Sequence, residues 1–328
     1  MHDIIGIHHI TAITSSAPKI YQFFTDILGI RLVKKTVNQD DIDTYHLFFS
    51  DDLGSPGTDM TFFDFKGIQP AYHANNEVSR SGFRVLNDEA LAYWIKRLNH
   101  FNVKHEGIKT LFGRKYINFY DFDQQPYAIF SDENLEGVKP GVPWLKGPVP
   151  NEFAIYGLGP VFLRVSQLEY IKNILESVLQ FKWIEKNGSF HLFETGLGGN
   201  GASIIVEENL ILPNSRQGFG GVHHIAFRVP NKASIHYWED LLSDMGYTHS
   251  GYVDRFYFES LYTRLYPGIL FEFATEGPGF INDEETYENL GETLALPPKF
   301  KQNRAYVESV VKQFDTVRSN KTYKKEYL

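Results

Sequence analysis

The sequence predicts an α+β fold of four βαβββ modules arranged as two paired-module domains. Three observations predict it. A short β-rich run, then a capped amphipathic helix, then further β-rich runs separated by polar turns occurs four times. The four occurrences recur at intervals of about seventy residues, the length one such supersecondary unit needs. A stretch rich in Pro and Gly divides them two and two.

The first module opens on Gly6-Ile7-His8-His9-Ile10-Thr11-Ala12-Ile13. Its helix follows Ser16 as the expected cap, with Pro18 in the first turn, apolar Ile20, Phe23, Phe24, Ile27 and Leu28 on one face, and Gly29 as the stop. The second runs Phe83-Arg84-Val85, then Asp88 as the expected cap of a helix bearing Leu91, Trp94, Ile95 and Leu98. The third begins Phe162-Leu163-Arg164-Val165, and its helix carries Leu168, Ile171, Ile174, Leu175 and Val178. The fourth reads Gly221-Val222-His223-His224-Ile225-Ala226-Phe227-Arg228-Val229, then a helix with Ile235, Trp238, Leu241, Leu242 and Met245 before Gly246. The expected boundaries are an N-terminal pair over 1–137, a linker over 138–151, a C-terminal pair over 152–280 and an extension over 281–328. In the extension an acidic loop from Asp283 to Glu292 precedes the Leu296-Pro297-Pro298 turn and a short helix around Ala305 to Phe314. The last residues, with Lys321, Lys324 and Lys325, read as a frayed polar tail.

Composition excludes several function classes. A formal charge of −8 with no basic block repels phosphate backbones, so no nucleic-acid partner is expected. No apolar run approaches the ~18 residues of a membrane span, and the start lacks a signal-peptide pattern, so the expected compartment is the cytoplasm with no membrane partner. With 0 cysteines, any metal must be held by His, Asp or Glu. The glycines at 196, 198, 199 and 201 open no helix and precede no Lys-Ser/Thr, which reads as a hairpin turn rather than a phosphate loop.

The double histidines are the chemical signal. His8-His9 and His223-His224 stand on the first strands of modules one and four, and modules two and three have none there. Alternation along a strand sends the two members of each pair to opposite faces, so one per pair is expected at a shared site. His9 and His224 occupy equivalent positions and can meet if the outer modules pack side by side. Glu272 is the expected third ligand, because a carboxylate within Gly268-Ile269-Leu270-Phe271-Glu272-Phe273-Ala274 is costly to bury unless paired or metal-bound. Asp64, within Thr61-Phe62-Phe63-Asp64-Phe65, remains open as a fourth. Two histidines and one carboxylate suit non-haem Fe(II), and two plus two suit a Zn(II) or Ni(II) isomerase.

These double-His strands, the fourfold repeat and the run Asp254-Arg255-Phe256-Tyr257-Phe258-Glu259-Ser260-Leu261-Tyr262 ahead of Glu272 resemble the vicinal oxygen chelate superfamily of glyoxalases and extradiol dioxygenases. Within it they are most similar to the hydroquinone-type ring-cleaving dioxygenases. The tail Gly277-Pro278-Gly279-Phe280, Asp283-Glu284, Leu290-Gly291-Glu292 and Leu296-Pro297-Pro298 is similar too, and the resemblance runs from Ile4 to Pro298. It implies a glyoxalase/bleomycin-resistance/dioxygenase-like fold with the site formed by modules one and four. It further implies Fe(II), with Mn(II) as the other candidate, on His9, His224 and Glu272, and supporting catalytic roles for His8, His223, Arg255 and Tyr262. Asp64 receives no metal role from it. The expected activity is Fe(II)-dependent, extradiol-type cleavage of a hydroquinone or related small aromatic diol by O2, in a chain for which a homo-oligomer is open. The alternatives are a glyoxalase-like metal-dependent isomerase and a non-catalytic protein that binds an aromatic toxin.

Overall fold

The computed structural model describes residues 3–281 and 285–328; the Met1-His2 start and Asp283-Glu284 of the tail motif lie outside the described residues. Each module yields the expected element order. The first gives β1 (Gly6–Ile13), α1 (Ala17–Gln22), β2 (Arg31–Val37), β3 (Tyr45–Ser50) and β4 (Asp59–Phe63). The second gives β5 (Glu77–Val85), α2 (Asp88–His100), β6 (His105–Leu111), β7 (Arg114–Tyr120) and β8 (Pro126–Ser131). The third gives β9 (Val161–Val165), α3 (Leu168–Asn173), β10 (Lys182–Asn187), β11 (Phe190–Glu194) and β12 (Ser203–Glu208). The fourth gives β13 (Gly221–Val229), α4 (Lys232–Asp244), β14 (Val253–Asp254), β15 (Glu259–Tyr266) and β16 (Ile269–Thr275), and α5 (Arg304–Val310) follows in the extension.

The described strands form two eight-stranded sheets, and each sheet joins modules from opposite sides of the stretch rich in Pro and Gly. The order β14-β15-β16-β13-β1-β4-β3-β2 unites the fourth module with the first, and β10-β11-β12-β9-β5-β8-β7-β6 unites the third with the second. At the centre of the first, β1 runs antiparallel to β13, while β1 with β4 and β13 with β16 are parallel. A pseudo-twofold relation between the outer modules follows.

Alternation along the strands separates two faces. One face packs on the helices: α1 continues through a π-helical turn at Phe23–Ile27, where Phe24 lies 4.8 Å from Phe49 and 5.0 Å from Phe62 of the first sheet, and 6.0 Å from Phe83 and Tyr127 of the second. Gly29 ends the helix at φ +63, and a Cβ there would stand 2.5 Å from Val149 Cγ2, so glycine meets both the backbone and the packing demand. On the other face the sheets differ. The second sheet fills its own with Leu111, Phe112, Tyr116, Phe130, Phe162 and Ile205, Tyr116 stacking on Phe130 at 4.8 Å. The first sheet leaves room there.

Local expectations need three corrections. The α2 cap is Asn87, whose side chain accepts from Ala90 N at 3.0 Å, and Asp88 is the first helical residue. Ser16 holds the cap position of α1 without a side-chain cap bond, its own N–H donating instead to Thr14 Oγ1. The tail is docked rather than frayed: the buried guanidinium of Arg97 on α2 meets the Glu326 carboxylate at 2.6 Å, and Lys325 Nζ donates to Val149 O at 2.9 Å. A buried cation demands a partner, and the chain end supplies one. The extension also covers β2, where Lys34 Nζ meets Glu285 at 2.6 Å and Lys35 bridges to Leu294, so an edge strand is fully buried. No described helix is long and apolar enough to cross a membrane.

Candidate metal centre and cavity

His9, His224 and Glu272 converge on the free face of the first sheet. Glu272 alternates with Phe271 and Phe273, which turn toward the helices, so its carboxylate points the other way and is fully buried. Its Oε2 lies 3.1 Å from His9 Nε2 and 2.9 Å from His224 Nε2, and the two Nε2 atoms are 3.2 Å apart. Oε1 accepts a hydrogen bond from Ser260 Oγ at 2.5 Å, whereas among the described residues Oε2 has no hydrogen-bond donor. Burial opposes ionisation of Glu272, and positive charge on the two imidazoles beside it in the metal-free chain holds its carboxyl well below the usual range.

Both histidine pairs sit on β-bulges. Between β1 and β13 the register steps from Ile7↔Phe227 to His9↔Ala226 and from Thr11↔His224 to Ala12↔Val222, so His8 is the extra residue on one strand and His223 on the other. The expected opposition of consecutive side chains is therefore lost at these two points. His8 Nδ1 lies 2.9 Å from His9 Nδ1, and His223 Nδ1 lies 2.8 Å from His224 Nδ1.

That contact sets the tautomers. Burial and the neighbouring imidazole push both His8 and His223 down to about 3, so both are neutral. His8 Nε2 faces the Thr275 carbonyl at 3.0 Å and must donate to it, which makes its Nδ1 an acceptor for His9 Nδ1–H and leaves His9 Nε2 as the nitrogen that faces the cluster. His223 Nδ1 makes the equivalent contact with His224 Nδ1, so a His224 that ligates through Nε2 carries its proton on Nδ1 and leaves the proton of a neutral His223 on Nε2. The two Nε2 atoms and the Glu272 carboxylate then face one another in a buried spot, an arrangement suited to a shared cation. Two ligands about 2.1 Å from one ion and at right angles stand about 3 Å apart, which matches the three separations. The donor set fits one face of an octahedral ion.

Asp64 is not part of this cluster, and register explains why. Ala226 pairs with Glu272 and the equivalent Thr11 pairs with Thr61, so Thr61 occupies the position that Glu272 has in the fourth module. Asp64 lies three residues on, where its Oδ1 accepts from Tyr45 N at 2.8 Å and burial pushes it up to about 6.

A cavity of about 600 Å³ opens in front of the cluster, walled by Phe48, Phe63, Phe65, Tyr257, Phe258 and Leu270, with His9, His224, His223, His46, Arg255 and Tyr262 supplying its polar groups. Phe258 packs on both His8 and His9, with centroids 5.3 and 5.2 Å away. The Asp254–Phe258 turn, with Phe256 at φ +71 and its N–H bonded to Asp254 Oδ1 at 2.7 Å, directs Arg255 inward. Arg255 Nε donates to the Tyr262 hydroxyl at 3.1 Å, and its two Nη groups grip both oxygens of Asp40 at 3.1 and 2.9 Å. Burial and then the Glu272 charge push the Tyr262 phenol up, so it keeps its proton. Of the two bulged histidines, His223 lines the cavity and His8 is turned to Thr275 behind the cluster. His46 also lines the cavity, and no sequence signal marked it, because it is a single histidine without a repeat equivalent.

The family model described as the Glyoxalase/Bleomycin resistance protein/Dioxygenase superfamily matches residues 6–126. The chain is 42% identical over 312 residues to a Bacillus subtilis (strain 168) protein named a ring-cleaving dioxygenase, MhqA, covering 94% of this chain and 98% of that one. It is 30% identical over 302 residues to the chlorohydroquinone/hydroquinone 1,2-dioxygenase of Sphingobium indicum, covering 90% of this chain and 92% of that one. The crystal structure of a protein described as a dioxygenase from Bacillus subtilis subsp. subtilis str. 168 superimposes with a TM-score of 0.88 at 34% identity, over 95% of this chain and 98% of that one.

Proposed function

The chain belongs to the Glyoxalase/Bleomycin resistance protein/Dioxygenase superfamily, alongside its ring-cleaving dioxygenases, and from that premise we propose that it opens the ring of a hydroquinone or related small aromatic diol with O2 by extradiol-type chemistry. The observation that carries the reading is a two-histidine, one-carboxylate triad at the floor of an apolar cavity. Fe(II) held by His9, His224 and Glu272 would supply Lewis acidity and one-electron chemistry toward O2, and Mn(II) suits the same donors. Thr61, standing where a fourth acid would, favours this over a four-ligand isomerase.

The chain's own residues do the rest. The phenylalanine walls take the ring and exclude water. Tyr262 lies beside the triad with its oxygen accepting from Arg255, so its proton is free to turn toward a substrate oxygen, and the guanidinium steadies negative charge that develops there. His223 offers Nε2–H to the cavity as a second proton-bearing group, while His8 holds His9 in its ligating tautomer.

Anaerobic purification, loading with Fe(II), Mn(II) or Zn(II), and oxygen uptake on hydroquinone and catechol test the reading. Uptake with Fe(II) or Mn(II) and an aromatic diol, and none with Zn(II), is expected. Absence of diol-dependent uptake with every metal would overturn it.

A further inference from the structure

His46 lies on β3, two strands from β1 in the first sheet, and its ring is held between Phe48 and Phe63 with centroids 3.9 and 4.4 Å away. Its Nε2 is 2.9 Å from Thr61 Oγ1, which is 2.8 Å from Thr11 Oγ1. Both threonines are fully buried, and among the described residues Thr11 Oγ1 has no further acceptor. A buried hydroxyl proton without an acceptor costs more than an unused lone pair, which sets the direction of the chain. Thr11 donates to Thr61, and Thr61 donates to His46 Nε2. Burial, then the charges of His9, His224 and Arg255, hold His46 well below its ordinary value, so the ring is neutral and its one proton sits on Nδ1. Among the described residues Nδ1 has no protein partner, and the side chain lines the cavity.

We propose that His46 is a specificity-determining residue: it presents Nδ1–H to the substrate oxygen remote from the His9, His224 and Glu272 cluster, and so favours a diol whose oxygens stand at opposite ends of the ring. Two strand spacings of about 4.8 Å put His46 roughly 10 Å across the sheet from β1. A para diol with one oxygen at the cluster reaches toward that wall, and an ortho diol keeps both oxygens at the cluster. This rests on the aromatic-diol reading above. In this chain of hydrogen bonds Thr61 occupies the position that Glu272 has in the fourth module, so the same place in the pseudo-twofold carries a ligand in one module and steadies His46 in the other.

The test is anaerobic equilibrium binding of hydroquinone, catechol and phenol to the metal-loaded protein, compared with His46→Leu, His46→Gln and Thr61→Val. Wild type should bind hydroquinone about ten-fold more tightly than phenol, the size of one neutral hydrogen bond. His46→Leu should bring that ratio close to one with phenol affinity kept, and His46→Gln, which retains a donor, should keep most of it. Thr61→Val, which releases the ring, should shrink the ratio with His46 still present, and it carries the test if the leucine variant fails to fold. Hydroquinone selectivity that survives in His46→Leu and Thr61→Val would overturn the role of His46 alone. Wild type binding none of the three ligands would overturn the diol reading and this proposal together.

Discussion

Tyr262 and Glu272 are direct cross-strand partners on β15 and β16, so the phenol and the carboxylate project from the same face of the sheet. The His224 ring lies edge-on to Tyr262, with centroids 5.9 Å apart. Tyr262→Phe keeps the ring and removes only the hydroxyl. Metal content should be unchanged and turnover should fall about 10²-fold or more, read by steady-state oxygen uptake alongside metal analysis. Full turnover would make Tyr262 a packing residue.

Glu272→Ala should leave a folded protein that has lost most of its metal and activity, because in the metal-free state the acid is a charge that is costly to bury. Phe271→Ala and Phe273→Ala, on the fully buried helix-facing side of the same strand, should instead lower the unfolding free energy by about 3–5 kcal/mol. Metal analysis and denaturant melts separate the two effects. Retention of full metal by Glu272→Ala would refute the ligand assignment.

The bulged histidines should differ in phenotype. His8→Ala removes the acceptor that fixes His9, and metal affinity should fall about 10–100-fold. His223→Ala removes a cavity donor as well as the partner of His224, so a loss of turnover should persist when metal is saturating. Competitive chelator titration and activity at saturating metal distinguish them, and equal behaviour of the two variants would contradict the asymmetry.

Deleting residues 326–328 strips Arg97 of its carboxylate and Tyr93 Oη of its acceptor on Glu326. Arg97 keeps the Ile27 and Asp26 carbonyls, and Glu326 is partly solvated, so a loss of about 1–2 kcal/mol is expected in chemical denaturation. A truncated chain as stable as the full one would return the tail to the frayed state its composition suggests.

Stability should also fall on acidification, with a contribution from His46. Its folded pKa lies well below the unfolded value, so below about pH 6.5 the unfolded chain takes a proton that the folded chain refuses. Stability from this group is present above that pH and is lost as pH falls, by up to about 1.4 kcal/mol per unit. His46→Gln should therefore lose less stability than wild type on going from about pH 6.5 to 5, as read by urea unfolding. Parallel pH curves would mean that His46 is protonated in the folded chain.

The four modules were legible because helix and strand periodicities are local: Leu91, Trp94 and Leu98 mark a helix face wherever the helix ends up. The paired positions of His9 and His224, and Glu272 between two phenylalanines, were legible for the same reason, since repeat equivalence and alternation are properties of the chain itself. Local pattern misled at Asp64. Phe63-Asp64-Phe65 imitates Phe271-Glu272-Phe273, yet the β1–β4 register puts Thr61 opposite Thr11.

The sequence by itself determined the module count, the helix faces and His9, His224 and Glu272 as candidate ligands, with Asp64 still open beside them. Tertiary structure alone decided that modules one and four share a sheet, that bulges at His8 and His223 turn both members of each pair into contact, that Arg255 reaches Asp40 of another module, and that His46 joins the cavity wall. Each of these depends on which strand hydrogen-bonds to which and in what register. One residue of slip reverses every side chain on a strand, and that choice is made by contacts between segments hundreds of residues apart, His9 and His224 among them at a separation of 215.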